Sequence, residues 1–489
     1  MRRVAIAVCS LALLSALLAP AHARLEARQG EEPAGSFELI GHNPLMNRGM
    51  NAALAVHGDY AYVGSRTDAA HPNTGVMILD ISDPSAPEIV DQIPGQVGIT
   101  TREMRIWPEQ ELLIVLDLAT NCSPLIHACV PAQTRTDRVC VGQGITGVPA
   151  ECNTFSFYDI SGDKAAAPEL VSQYVPTVAP HEFFLWDDPK RAGRALLYIS
   201  SPGTGGREMV AADISKAREG EFTEIAEWST VIPAEGDNRL HSFGVSNDGK
   251  RAYLAYLEGG FLVADISQVA KGLPEPEITL VTSMNDRPDW EGPGAHSAVK
   301  LYGRPFALVT DEVYGQIPGL LPDHGCPWGW VRVIDIKDPV LPKVVSEFKL
   351  PINEEDFCSS GDNPPDRNTL SSHSAHNPTL TRNLAFVTWH SEGLQAIDIK
   401  NPSAPVQAAA FMPDPLPAVV TEDPALSMGR DKVVMWSYPV IKDGLIYVVD
   451  VRNGFYVLKY SGPYESEVAK LKFLEGNSNL GDALKLEKP

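Results

Sequence analysis

Short apolar runs that close on an aspartate recur along the chain: "VMILDISDPSAPEIV" from Val76, "FSFYDISGDKAAAPELV" from Phe155, "MVAADIS" from Met209, "FLVADIS" from Phe261, "VRVIDIKDPVLPKVV" from Val331 and "LQAIDIKNPSAPVQAA" from Leu394. A seventh, degenerate copy is "FYVLKYSGP" from Phe455. Ahead of the copies stand paired β-rich runs with turn residues between them, as in "FGVSNDGKRAYLAY", "AVKLYGRPFALVT", "LTRNLAFVTW" and "YPVIKDGLIYVVD", which is the pattern of a tight hairpin. Each unit therefore reads as strand, turn, strand, loop, strand ending in Asp, Pro-containing turn, and a fourth strand such as "PEIVDQI". Four antiparallel strands repeated around an axis make a propeller blade.

Seven such units fit between about Asn51 and Tyr460. The last lacks a fourth strand of its own, and "SFELIG" at Ser36 to Gly41 can supply it, leaving no exposed sheet edge. The expected fold is all-β, a seven-bladed β-propeller closed by an N-terminal strand, in a single domain from 36 to 462. A linker precedes it at 24–35, and residues 463–489 read as a polar C-terminal tail, packed on the outside or loosely ordered.

The elements "VMILDISDPSAP", "VIDIKDPVLP" and "AIDIKNPSAP" resemble the LVIVD repeat family of seven-bladed propellers, over nearly the whole mature chain. That resemblance implies the fold and little chemistry, since proteins of the family are mostly without an assigned activity. A weaker similarity, in inner strands that carry histidine, is to selenium-binding proteins with methanethiol oxidase activity, which are copper-dependent propellers. No motif of that family is matched, so none of its residues carries over.

In a blade the innermost strand starts at one face of the disc, here termed the top. His181 in "PHEFFLW", His241 in "LHSFGVS", His296 in "AHSAVKL" and His376 in "AHNPTL" stand at or just before the start of innermost strands in blades three to six. Equivalent positions in the other blades are Asn51, Arg102 or Glu103, and Trp436 or Ser437, with Glu103 of "REMRIW" aligning with Glu182 of "HEFFLW". His57 falls on the opposite face, while His42, His71, His127, His324, His373 and His390 join the top. A lone histidine of this kind usually bonds a neighbouring carbonyl. Four at equivalent points of consecutive blades become one spatial cluster, and imidazoles around a void suit copper, iron or zinc, with Glu103 or Glu182 as an extra ligand, supporting acceptor or catalytic carboxylate.

Arg2 and Arg3, the apolar run Val4 to Leu18 and Ala21-His22-Ala23 have the three-part layout of a secretory signal peptide at 1–23. Its removal takes two arginines and no acid, leaving 38 basic against 62 acidic residues. Nucleic acid is a poor partner for such a chain, and no later run is long and apolar enough to span a bilayer. Cys9 leaves with the leader, and the even set Cys122, Cys129, Cys140, Cys152, Cys326 and Cys358 favours disulfides outside the cell. The four in the blade-two insert can pair among themselves in three ways, and Cys326 with Cys358 is geometrically possible on the same face.

There is no G-x-S-x-G elbow, no P-loop and no H-E-x-x-H, since "HEFFL" has Leu185 where a second histidine belongs. Ser242, Ser297, Ser374 and Ser391 each follow a histidine, but neighbours on a strand point to opposite faces, so no dyad is expected. The recurrent Asp80, Asp159, Asp213, Asp265, Asp335 and Asp398 are expected to cap turns. Two readings follow. One is a secreted monomeric metalloenzyme with a transition-metal site on His181, His241, His296 and His376, acting on a small molecule by oxidation or hydrolysis. The other is a binding or scaffold module whose top loops recognise a protein or cell-envelope glycan.

Overall fold

In blade one the strands Asn51–His57, Tyr60–Ser65, Gly75–Asp80 and Glu88–Pro94 pair in sequence order, each antiparallel to the next. The same order recurs in five further sheets, and a seventh is built from both ends of the chain. The computed structural model describes residues 33–66, 72–95, 99–119, 153–202, 206–233, 236–318 and 325–488. The expected leader at 1–23, most of the linker at 24–35, His71, His127, His324 and the cysteines Cys122, Cys129, Cys140 and Cys152 lie outside the described residues.

The hydrophobic pattern explains why strands sit where they do. Inner and middle strands are flanked on both sheet faces by neighbouring blades, and Ala195–Ser200 and Leu384–Trp389 are buried throughout. Between blades two and three, Trp107, Phe155, Phe183, Leu197 and Ile199 form one cluster. Fourth strands border solvent and keep polar positions, as in Glu88–Pro94. The aspartates that close the third strands accept a backbone N–H two residues on: Asp80 from Ser82 at 2.8 Å, Asp159 from Ser161 at 3.1 Å, Asp213 from Ser215 at 2.9 Å, Asp265 from Ser267 at 2.8 Å, Asp335 from Lys337 at 2.8 Å and Asp398 from Lys400 at 2.9 Å. They are turn caps, as their place before the Pro-containing turns predicts.

Blade seven consists of Val440–Lys442, Leu445–Asp450 and Gly454–Ser461, with Ser36–Asn43 added outside Gly454–Ser461. Phe37 pairs with Tyr460, and their rings, with that of Phe386, tie the closing strand to blade six as well. The N-terminal strand thus closes the ring.

The stretch 463–489 departs from its expected place outside the disc. Phe473–Leu474 pairs with Ile441 and Lys442 on the far side from the rest of blade seven, making a fifth strand next to the innermost one. The chain then crosses the channel: Asn477 Nδ2 donates to the Phe183 carbonyl at 2.6 Å, Ser478 bridges Leu185, and Asn479 Oδ1 accepts from the Asp187 N–H at 2.7 Å. Beyond it, Glu487 meets Lys300 Nζ at 2.6 Å in blade five. Asparagine and serine side chains can satisfy inner-strand groups that have no further strand to pair with, which is why a polar sequence lies buried here. Among the described helices none is long and apolar enough to cross a membrane.

Candidate metal centre

The starts of the inner strands are irregular. Register shifts fall between Thr101 and Glu103 in blade two, Ala295 and Ser297 in blade five, and Ala375 and Pro378 in blade six. A bulge re-aims side chains out of the ladder, and here it affects Arg102, His296 and His376. His181 and His241 stand one residue before their strands, held by backbone bonds to Ser200 and Ala255 of 2.7 and 2.8 Å.

The four expected histidines are brought together. Successive ring centroids lie 4.4 Å apart from His181 to His241, 4.1 Å to His296 and 3.9 Å to His376, and His390 continues the row at 4.7 Å. Their ligand atoms fall into three overlapping triads rather than one ring: His181, Glu182 and His241; His241, His296 and Glu312; Glu312, His376 and His390. Within each triad the ligand atoms lie within 4.8 Å of one another, so each could hold a metal ion.

Hydrogen bonds set the tautomers. The His376 Nδ1–H donates to the Trp436 carbonyl at 2.7 Å, which leaves Nε2 as a bare lone pair, 3.3 Å from Glu312 Oε1. Ser297 Oγ donates to Asn377 Oδ1 at 2.9 Å and so accepts from His296 Nδ1–H at 2.7 Å. His296 Nε2 is then also bare, and it makes no hydrogen bond. The expectation that a histidine and the serine after it cannot meet is corrected at this pair, because the bulge between Ala295 and Ser297 breaks the alternation of sides. Arg102 Nη2 donates to His181 Nε2 at 2.8 Å, so the His241 Nε2–H, 2.9 Å away, is the donor to the same atom.

His296 and His390 are fully buried, His376 is 2% exposed and His241 9%, while His181, Arg102 and Glu312 are partly exposed. Burial drives the His181 and His296 rings well below the ordinary imidazole value, and His241 and His390 to about 3. Glu182 is pushed up to about 7 by burial and by the charge of Glu103. Burial acts upward on Glu312 too, but the charge that His376 carries when protonated, with that of His390 and His241, holds it at about 2.

Glu182 joins the cluster; Glu103 does not. Glu103 pairs with Arg105 at 2.9 Å, and Arg105 in turn reaches the Asn477 carbonyl of the C-terminal segment at 3.4 Å. His57 borders Glu111 and Lys442, which belong to the turns at the opposite face. His42 stacks on Tyr456 at 4.3 Å in the closing strand, and His373 is held between Glu392 at 2.6 Å and Asp431 at 3.4 Å. Glu312 and the place of His390 in a group that could hold a metal were not foreseen. Both end second strands, Phe306–Glu312 and Leu384–Trp389, and those ends share the top with the inner-strand starts. The bridge from Cys326 to Cys358, with Cα atoms 5.5 Å apart, ties the blade-five insert to the loop that leads into blade six. A separate depression of about 430 Å3, lined by Glu258, Arg287, Asp289, Trp290 and Glu291, includes none of the histidines.

The signature of the LVIVD repeat matches residues 48–93 and 377–412, in blades one and six. These two segments are LVIVD repeats. No curated protein matches this chain. Similar solved structures include Raptor of Chaetomium thermophilum, at 10% identity and a TM-score of 0.46, with 88% of this chain covering 29% of that one. Sqt1 of the same organism is similar at 11% identity and a TM-score of 0.44, with 86% of each chain covered.

Proposed function

We infer that this propeller is a secreted metalloprotein whose top-face chamber holds a transition metal and acts on a small molecule by oxidation. One observation carries the reading: the bare Nε2 of His376 faces the Glu312 carboxylate at 3.3 Å, and that of His296 faces Glu182 and Glu312 at 3.8 and 3.7 Å. Lone pairs and carboxylate oxygens repel at such distances unless a proton or a metal cation lies between them. Buried, fixed in tautomer by Ser297 and the Trp436 carbonyl, the rings have the orientation that metal-bound histidines take.

A transition metal on imidazole and carboxylate with an open position supplies the electron transfer for oxidising a small donor, dioxygen taking the electrons. Around it the chain provides a floor, through the C-terminal segment, and one solvent-facing edge, at His181 and Arg102. The guanidinium there favours donors that carry or develop negative charge, such as thiols and phenols. Secretion is supported by the Cys326–Cys358 bridge and by the leader-like start of the sequence.

Elemental analysis of the secreted protein tests this. His241→Ala and His296→Ala should lose metal while keeping the fold, His57→Ala should keep it, and oxygen uptake with small thiols or phenols should follow metal content. Equal metal in wild type and His241→Ala ends the reading.

A further inference from the structure

The two oxygens of Glu312 face different donors. Oε1 lies 3.3 Å from His376 Nε2 and 3.4 Å from His390 Nε2. Oε2 lies 3.7 Å from His296 Nε2, which is itself 3.8 Å from Glu182 Oε1. Donors about 2.1 Å from one tetrahedral ion stand about 3.4 Å apart. Each oxygen therefore belongs to a donor set with the internal spacing of a separate coordination sphere.

The orphaned atoms are distributed in the same way. Both ring nitrogens of His390 and Glu312 Oε1 make no hydrogen bond at the inner end, nor do His296 Nε2 and both Glu182 oxygens toward the outer end. Burying so many polar atoms without hydrogen bonds is costly, even with Arg102 Nη2 3.7 Å from Glu182 Oε1, and one ion reaches only one of the two groups. Resting on the metal-binding reading above, we propose that the chamber holds two metal ions bridged by the Glu312 carboxylate. The outer ion is held by His241 and His296 with Glu182, next to the solvent-facing His181. The inner ion is held by His376 and His390. A bridging carboxylate sets two ions about 3.5–4 Å apart, the spacing at which a pair acts on one substrate. The outer ion lies beside the partly exposed His181 and is placed to meet the substrate.

The test loads metal-stripped protein with Zn(II), removes unbound metal by gel filtration and counts zinc per chain. Wild type and His57→Ala should carry two, and His390→Ala and His296→Ala one each. With Cu(II) in place of zinc, the wild-type electron paramagnetic resonance signal should integrate to well below the copper present, through coupling across the bridge, and His390→Ala should recover full intensity. One zinc in wild type overturns the pair and leaves the single-metal reading standing; none overturns both. Two zinc ions in His390→Ala would place the second ion elsewhere and also overturn the proposal. Should His390→Ala fail to fold, the wild-type count and copper signal still decide.

Discussion

The ring of His376 is oriented from another blade: its Nδ1–H donates across 2.7 Å to the backbone carbonyl of Trp436, which precedes the inner strand of blade seven. No side-chain substitution can remove that acceptor. The orientation of this blade-six imidazole therefore depends on how blade seven is seated, and blade seven depends on strands from both ends of the chain.

The equivalent acceptor for His296 is a side chain and can be removed. Ser297→Ala deletes the group that takes the Nδ1 proton, freeing the ring to change tautomer. Zinc affinity should fall about 10- to 100-fold, the usual effect of losing such a supporting partner, with thermal unfolding of the metal-free protein little changed. Competition with a chelator of known affinity measures it, and unchanged affinity would show that Ser297 does not set the ligand.

The channel floor should be sensitive to a single carbon atom. A Cβ at Gly476 would collide with the Pro378 carbonyl and the Tyr438 ring, so Gly476→Val should cost about 1–3 kcal/mol. Amide exchange should also rise at Leu185 and Asn479, whose backbones bond this segment. Denaturant unfolding with hydrogen exchange checks both, and equal stability would mean that the segment is free to leave.

Loss of the bridge should also be visible in stability. Cys326 and Cys358 are 32 residues apart, and closing a loop of that size stabilises by about 3–4 kcal/mol in the chain-entropy account. Cys358→Ser should unfold at correspondingly lower denaturant than wild type without reductant. Peptide mapping that links Cys326 to any other cysteine contradicts the assignment.

His373 provides a pH signature distinct from the metal cluster. Burial lowers its affinity for a proton, but hydrogen bonds to Asp431 and Glu392 outweigh that and leave its value raised above 6.5. The resulting stabilisation is present in full below the unfolded value of about 6.5 and is lost as pH rises through the higher folded one. The melting-temperature gap between wild type and Glu392→Gln should be widest near pH 5.5 and narrow toward pH 8.5. A gap that widens with pH would reverse the sign and refute the assignment.

Much of this was legible because blade symmetry converts repeats in sequence into repeats in space. The Asp-Ile pairs mark third-strand ends wherever they occur, and His181, His241, His296 and His376 were findable by asking what starts each inner strand. Glu312 was not, for "VTDEVYG" has no repeat cue and its role depends on which strand end shares the top. Second-strand ends, where Asp117, Glu312, His390 and Asp450 all fall, hold the signal that inner-strand starts alone miss. The bulges that turn His296 toward Ser297 leave no mark in composition. The C-terminal floor was hidden for another reason: polarity reads as exposure in a sequence, whereas Asn477 and Asn479 are polar because they complete the hydrogen bonding of Phe183 and Asp187.

Ser36–Asn43 and Phe473–Leu474 flank the same blade, and this imposes an order on biogenesis. The strand made first waits for nearly the whole chain before it finds its partner, Gly454–Ser461, and the floor is laid only after that. A nascent chain halted before Asn479 has its histidines in hand but no bottom to the chamber, so the vessel is finished last and from below.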